Sequence, residues 1–265
     1  GIAEQNMTGV AAGLALEGKK VFTYSIGNFP TLRCLEQIRN DCAYHNANVN
    51  VICVGGGYVY GSLGMSHHAT EDIAILRALP DVTVICPGGP TEAALAVKKI
   101  ANTDGTCYLR LGRGGEKNIN NVIKEFEIGK AYKLRESKGA DKSIAVFSTG
   151  AILEETTKAC DMLEADGFGV EQYSFPTVKP IDKQAIIDCA KKFDNIFTVE
   201  EHNVVGGFGS AVAEVLAECG ENTKLHRIGI NDFYCIKVGS QAYLREQVGI
   251  NAEGITNKVK DVFGE

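Results

Sequence analysis

Gly1-Ile2-Ala3-Glu4-Gln5-Asn6-Met7, running straight into Thr8-Gly9-Val10-Ala11-Ala12-Gly13-Leu14-Ala15-Leu16, is the stretch on which the reading of this chain turns. Glu4 falls in the first turn of a helix, where the positive end of the helix dipole favours a carboxylate by a few tenths to about 1 kcal/mol. That effect alone would account for it. Glycine and alanine at Gly9, Ala11, Ala12, Gly13 and Ala15, however, let a helix lie close against another backbone, which a surface helix does not need. Together the two features predict a carboxylate held at an interface, out of open water.

Working outward, the 265 residues are 45% hydrophobic and 23% charged, enough to bury a sizeable core in a globular protein of two domains. Against 33 Asp and Glu stand 27 Lys and Arg, a net charge of -6, with no basic run for nucleic acid or for a membrane surface. Nine cysteines fall singly, with no CxxC pair and no His/Cys cluster, so they read as small core residues in a reducing compartment. No apolar run reaches membrane-spanning length and nothing at the start resembles a signal peptide, which predicts a cytoplasmic protein.

Strand and helix patterns alternate, as in mostly parallel sheets covered on both faces. Val21 to Tyr24, Val49 to Val54, Val82 to Cys86 and Cys107 to Leu111 read as strands, with helices at Leu32 to Tyr44, Ala69 to Ala78 and Thr91 to Ile100. Residues 1–124 form this first unit. The chain then turns polar, and 125–142 read as a crossing linker. In the second unit, 143–265, strands are expected at Ile144 to Ser148, Val170 to Phe175, Ile196 to Val199 and Leu225 to Ile230. Helices are expected at Ala151 to Ala165, Lys183 to Lys192 and Phe208 to Glu218.

Five stretches resemble the C-terminal half of the thiamine-diphosphate enzymes of the transketolase and deoxyxylulose-phosphate-synthase type. They are GIAEQNM (1–7), EQIRN (36–40), SHHATEDIAILRALPDVTVICPGGPTEA (66–93), YLRLGR (108–113) and VEEHNVVGGFGSAVAEVLAE (199–218). They run nearly end to end in the family's order. The resemblance implies an α/β fold of two domains, a pyrimidine-binding domain and a transketolase C-terminal domain, the first without its opening strand and helix. That segment is either missing from this sequence or supplied from elsewhere.

The resemblance also assigns residues. It makes Glu4 the acid that hydrogen-bonds N1' of the cofactor's aminopyrimidine, a task suited to a carboxylate whose pKa is raised by a dry interface. Phe29 matches one of the aromatic positions that stack the pyrimidine, while Ile26 replaces the other. His67 matches the family's active-site histidine and, with His68, is expected to contact substrate. A metal site at His67, His68, Glu71 and Asp72 is disfavoured, because adjacent histidines point apart and no third ligand has suitable spacing. Arg113 matches a phosphate-contacting arginine. Two departures stand out: Ser62 and Leu63 replace an acidic pair that recognises sugar hydroxyls, and Gly55 replaces a phosphate-binding histidine. These predict a less polar pocket in which Leu63 borders the substrate.

No GDG motif with a following asparagine is present, Asp104-Gly105 being preceded by Thr103. The diphosphate and its Mg2+ or Ca2+ are therefore expected on a partner, an N-terminal transketolase subunit, in an α2β2 heterotetramer. The implied function is the C-terminal subunit of a split enzyme transferring a two-carbon ketol unit from a ketose to an aldehyde. Alternatives are the β subunit of a 2-oxoacid dehydrogenase and a decarboxylating transferase of the deoxyxylulose-phosphate-synthase kind. A non-catalytic nucleotide-binding or assembly module rests only on the incomplete fingerprint Gly207-Phe208-Gly209.

Overall fold

A computed structural model describes residues 2–121 and 123–264. Among them are two five-stranded sheets, each mostly parallel with one antiparallel edge strand, and helices pack on their faces. The two-unit α/β architecture expected from the sequence is the one observed.

The first unit opens with α1 (Glu4–Leu16), which buries Thr8, Ala11, Ala12 and Ala15. The small residues divide: the alanines pack against this chain, whereas a Cβ added at Gly9 or Gly13 would meet nothing within 4 Å. Next come β1 (Val21–Ile26) and a segment expected as one helix. There the Thr31 hydroxyl donates to the carbonyls of Gly27 and Asn28, keeping the chain in turns. Only the short turn α2 (Leu35–Gln37) and a π-helical turn, Ile38–Ala43, follow; the wider turn puts Ile38, Cys42 and Ala43 together in the core.

β2 (Val49–Val54) is buried at every position, as its run VNVICV requires of a strand covered on both faces. The helix expected from Ala69 begins three residues later as α3 (Asp72–Ala78), because Ala69 is engaged in an isolated antiparallel bridge with Gly57. β3 (Val82–Ile85) follows, then α4 (Pro90–Ile100), which starts on a proline where the missing N–H costs nothing, and then β4 (Thr106–Leu111).

Residues 125–142, expected as a linker, carry a strand, β5 (Tyr132–Arg135). Tyr132 packs on buried Phe126, and Asp182 accepts from the Ala131 N–H, so the segment is pinned to the fold. The second unit continues with β6 (Ser143–Thr149), α5 (Leu153–Ala165), β7 (Gly169–Ser174), β8 (Thr177–Lys179) and α6 (Lys183–Ala190). It ends with β9 (Asn195–Asn203), α7 (Phe208–Cys219), β10 (Lys224–Ile230), α8 (Gln241–Gln247) and α9 (Ala252–Phe263).

The second sheet has the order β10-β9-β6-β7-β5, with β5 antiparallel at the edge. The first has the order β1-β2-β4-β3-β8. Its last strand comes from the second unit: β8 crosses over and pairs antiparallel with β3, Val84 opposite Lys179 and Ile85 opposite Thr177. One continuous core therefore runs from Val51 and Tyr108 of the first unit to Phe147, Phe175 and Phe208 of the second. Each fully buried aromatic contributes about 1.5–3 kcal/mol to that union. Eight of the nine cysteines are buried and none is disulfide-bonded, in keeping with their reading as core residues.

Candidate functional site

Ligands of parallel α/β sheets gather outside the carboxyl ends of the strands, and the sequence-expected residues fall there. Ile26 ends β1, Phe29 lies in the turn after it, Leu63 to His68 lie in the loop after β2, and Arg113 follows β4. The turn after β1 is pressed onto that loop, since a Cβ at Gly27 would lie 2.8 Å from both the Ala69 Cβ and the Cys53 Sγ.

Four side chains form one contiguous group. Glu4, at the start of α1, accepts from the Arg33 Nη1 at 2.6 Å through its Oε2. The Arg33 guanidinium lies over the Phe29 ring, 5.0 Å from its centroid. The His67 ring meets Phe29 edge-on at 5.2 Å, and Ser66 Oγ lies 3.0 Å from His67 Nδ1. Asn28 Nδ2 donates to the Ser66 carbonyl at 2.8 Å, tying the Phe29 turn to the His67 loop. Arg33 was not singled out from the sequence; its spacing of four from Phe29 is the signal that could have found it.

The expected raised pKa of Glu4 is corrected by this geometry. Its own backbone N–H and Arg33 hold the carboxyl below the usual carboxylate value and outweigh the partial burial that would raise it. Ile2, Val10 and Leu14, on or next to α1, and Leu32 are exposed.

His68 points the other way. It is 5% exposed, meets Tyr58 edge-on at 5.0 Å, and burial pushes its imidazole below the ordinary value. It lines a cavity of about 330 Å³ with Asn28, Met65, Glu71 and Tyr234. His68 Nε2, the Tyr58 hydroxyl and Asn28 Oδ1 are buried without hydrogen-bond partners. Leu63 is 53% exposed beside that region, and Ile26 is half-buried at its strand end.

Arg113 belongs to a separate hollow of about 320 Å³, with Tyr24, Val54 and Pro87, and its guanidinium lies 5.5 Å from the Tyr60 ring centroid. Tyr60 also explains Gly55: a Cβ there would lie 2.3 Å from the Tyr60 ring, so no side chain fits while Tyr60 occupies the space. Among the described residues no group of three or more His, Cys, Asp or Glu is arranged to hold a metal ion, and no helix is long and apolar enough to cross a membrane.

Beneath the site lies a buried polar network that positions the His67 loop. Asp72 Oδ2 accepts from Arg110 Nε at 2.7 Å and from the Tyr108 hydroxyl at 2.6 Å. Arg110 Nη2 donates to the carbonyls of Ala69 and Glu201, and the Glu201 carboxylate accepts from the Tyr58 N–H, Gln241 and Arg245. The loop thus hangs at both ends, Tyr58 and Ala69, from charged groups contributed by β4 and β9. Next to them Glu200 accepts from the N–H groups of Phe208 and Gly209 at the head of α7, and His202 accepts from the Ala74 N–H at the head of α3. These partners lie far apart in sequence, which hides them from motif reading.

Comparison with known proteins adds the following. The family described as "Transketolase, pyrimidine binding domain" matches residues 1–115, and "Transketolase, C-terminal domain" matches 129–255. A protein of Methanocaldococcus jannaschii described as a transketolase C-terminal section is 38% identical over 98% of this chain and 81% of its own length. The 6-deoxy-6-sulfo-D-fructose transketolase subunit of Clostridium sp. strain MSTE9 is 37% identical over 99% of this chain and 80% of its own. A solved structure, a split gene transketolase described as an inactive β4 tetramer, superposes with a TM-score of 0.86 at 34% identity, covering 98% of this chain and 81% of that one.

Proposed function

The chain belongs to the transketolase family, and from that premise we propose that it is the C-terminal subunit of a split, thiamine-diphosphate-dependent enzyme that moves a two-carbon ketol unit from a ketose to an aldehyde. The observation that carries the proposal is the grouping of Glu4, Phe29 and His67 at the carboxyl ends of β1 and β2. Relatives named as subunits or as a split-gene product support the division of the enzyme between two chains. An N-terminal subunit would then complete it, in our reading as an α2β2 heterotetramer, and would hold the diphosphate with its Mg2+ or Ca2+.

The residues present fit the pyrimidine end of that cofactor. A carboxylate with one oxygen held by Arg33, set beside the Phe29 ring, offers the groups a flat nitrogen heterocycle needs. When bound, the cofactor supplies a thiazolium carbon acidic enough to become the nucleophile that carries the two-carbon unit. Glu4 holds the proton shared with the ring nitrogen, and cover by the partner subunit desolvates it and raises its pKa from the low value in this chain alone. His67, steadied by Ser66 and Phe29, faces substrate and manages a proton at its hydroxyl.

The exposed Leu63 and the Tyr60 ring filling the space at Gly55 favour a substrate less hydroxylated, or differently charged, than an ordinary sugar phosphate. The test is Glu4→Gln in the complex with the partner subunit. Fold and assembly should persist while turnover falls by about 10²–10⁴, the usual weight of a general acid–base group. Near wild-type turnover would reject the assignment.

A further inference from the structure

Glu4 does not stand alone. Arg33 Nη1 donates to its Oε2 at 2.6 Å, the Arg33 side chain is 35% exposed and Glu4 17%, and the same guanidinium lies 5.0 Å from the Phe29 centroid. One flat cation thus touches both groups that would receive a flat heterocycle, the carboxylate and the aromatic face. Among the described residues Oε2 is the oxygen that Arg33 holds, and Oε1 has no side-chain partner. A guanidinium suits this double task because its planar fork binds carboxylate while its face lies on an aromatic ring, which an ammonium cannot do.

We propose that Arg33 is a positioning residue: it clamps the outer oxygen of Glu4 and one side of Phe29, so that Oε1 and the ring are presented together to a planar nitrogen heterocycle. The identity of that heterocycle rests on the function proposed above, but the clamp itself does not. Besides Arg33, the titratable group of the described residues that faces Glu4 is the Cys34 thiol, which remains in every variant below. Arg33 lies on the segment between Pro30 and α2, where Thr31 fixes the turn from beneath, so it approaches Glu4 from a side that the fold already holds.

The experiment follows the Glu4 carboxyl carbon by NMR in the full chain labelled with 13C-glutamate, assigned by its loss in Glu4→Gln. In Arg33→Met the titration midpoint should rise from its depressed position toward that of an ordinary glutamate, and in Arg33→Lys it should stay low. In complex with the partner subunit, Arg33→Met should weaken thiamine diphosphate binding at least threefold. Arg33→Lys should restore the midpoint but only part of the affinity, because the face on Phe29 is lost. An unchanged midpoint in a folded Arg33→Met chain would overturn the clamp. Tighter cofactor binding in Arg33→Met would also overturn it, by showing that Arg33 obstructs the site. A raised midpoint in Arg33→Met combined with full activity of Glu4→Gln would uphold the clamp and refute the function assigned to Glu4.

Discussion

Asp72→Asn should unfold this protein more readily than any surface change, and the structure fixes the size of the effect. The Asp72 side chain is 1% exposed and Arg110 is 5% exposed, with Nε to Oδ2 at 2.7 Å and the Tyr108 hydroxyl on the same oxygen. Asparagine keeps the shape but removes the charge, leaving a buried guanidinium without its counter-ion, which costs about 3–5 kcal/mol. With an unfolding entropy of about 2.1 cal/mol/K per residue, the 265-residue chain should lose about 5–9 °C in Tm. Calorimetry and urea titration of the two proteins read this directly. Asp72→Asn combined with Arg110→Met should cost less than Asp72→Asn alone, because the stranded charge is gone. A loss below about 1 kcal/mol in Asp72→Asn, or no relief in the double variant, would refute the view that this pair anchors the His67 loop.

Glu200 is pushed up to about 7 by burial, in spite of the N–H groups of Gly209 and Phe208, and burial pushes neighbouring His202 down to about 4. The raised carboxyl binds its proton more tightly folded than unfolded, so its contribution to stability falls as pH rises from 4.5 to about 7; the depressed imidazole gives stability that is lost as pH falls from 6.5 to about 4. The two slopes oppose each other, and Glu200→Gln should unmask the second, making stability climb across that range by about 3 kcal/mol more than in the wild type; parallel urea-derived profiles would contradict this. Gly57 sits at φ +67 with a would-be Cβ 2.5 Å from the Glu201 Cγ, so Gly57→Ala should cost about 2 kcal/mol or more by thermal melting. Leu63→Asp should shift kcat/KM about tenfold toward polyhydroxylated sugar phosphates in a competition assay, and unchanged selectivity would remove Leu63 from the substrate-facing surface.

Much of the framework was legible because its signals are local. β2 reads from six consecutive buried positions, and α4 from its leading proline and the breaker ahead of it. β5 and β8 were missed because edge strands of four and three residues, five of the seven positions not fully buried, carry no periodic pattern. α8 and α9 were not assigned, although Asn251 accepting from the Gly254 N–H and the run Ile255, Val259, Phe263 mark α9 plainly. At the site, Glu4, Phe29 and His67 could be named from motifs. The low pKa of Glu4 could not, since beyond its own backbone N–H it draws on Arg33, 29 residues away in sequence. Likewise no local pattern links Asp72, Arg110 and Glu201, which only the fold brings together.

The crossing of β8 sets a timetable for biosynthesis. The strand partner of Val84 is Lys179, so at about 5–20 residues per second the nascent chain carries an unpaired β3 margin for roughly 5–20 s before its mate emerges. During that interval a neighbouring nascent chain on the same message offers the same margin and the same mate, which makes exchange between copies the characteristic error to expect. A chain severed within 125–142 would keep that vulnerability for life, because neither fragment could silence the β3 margin without the other.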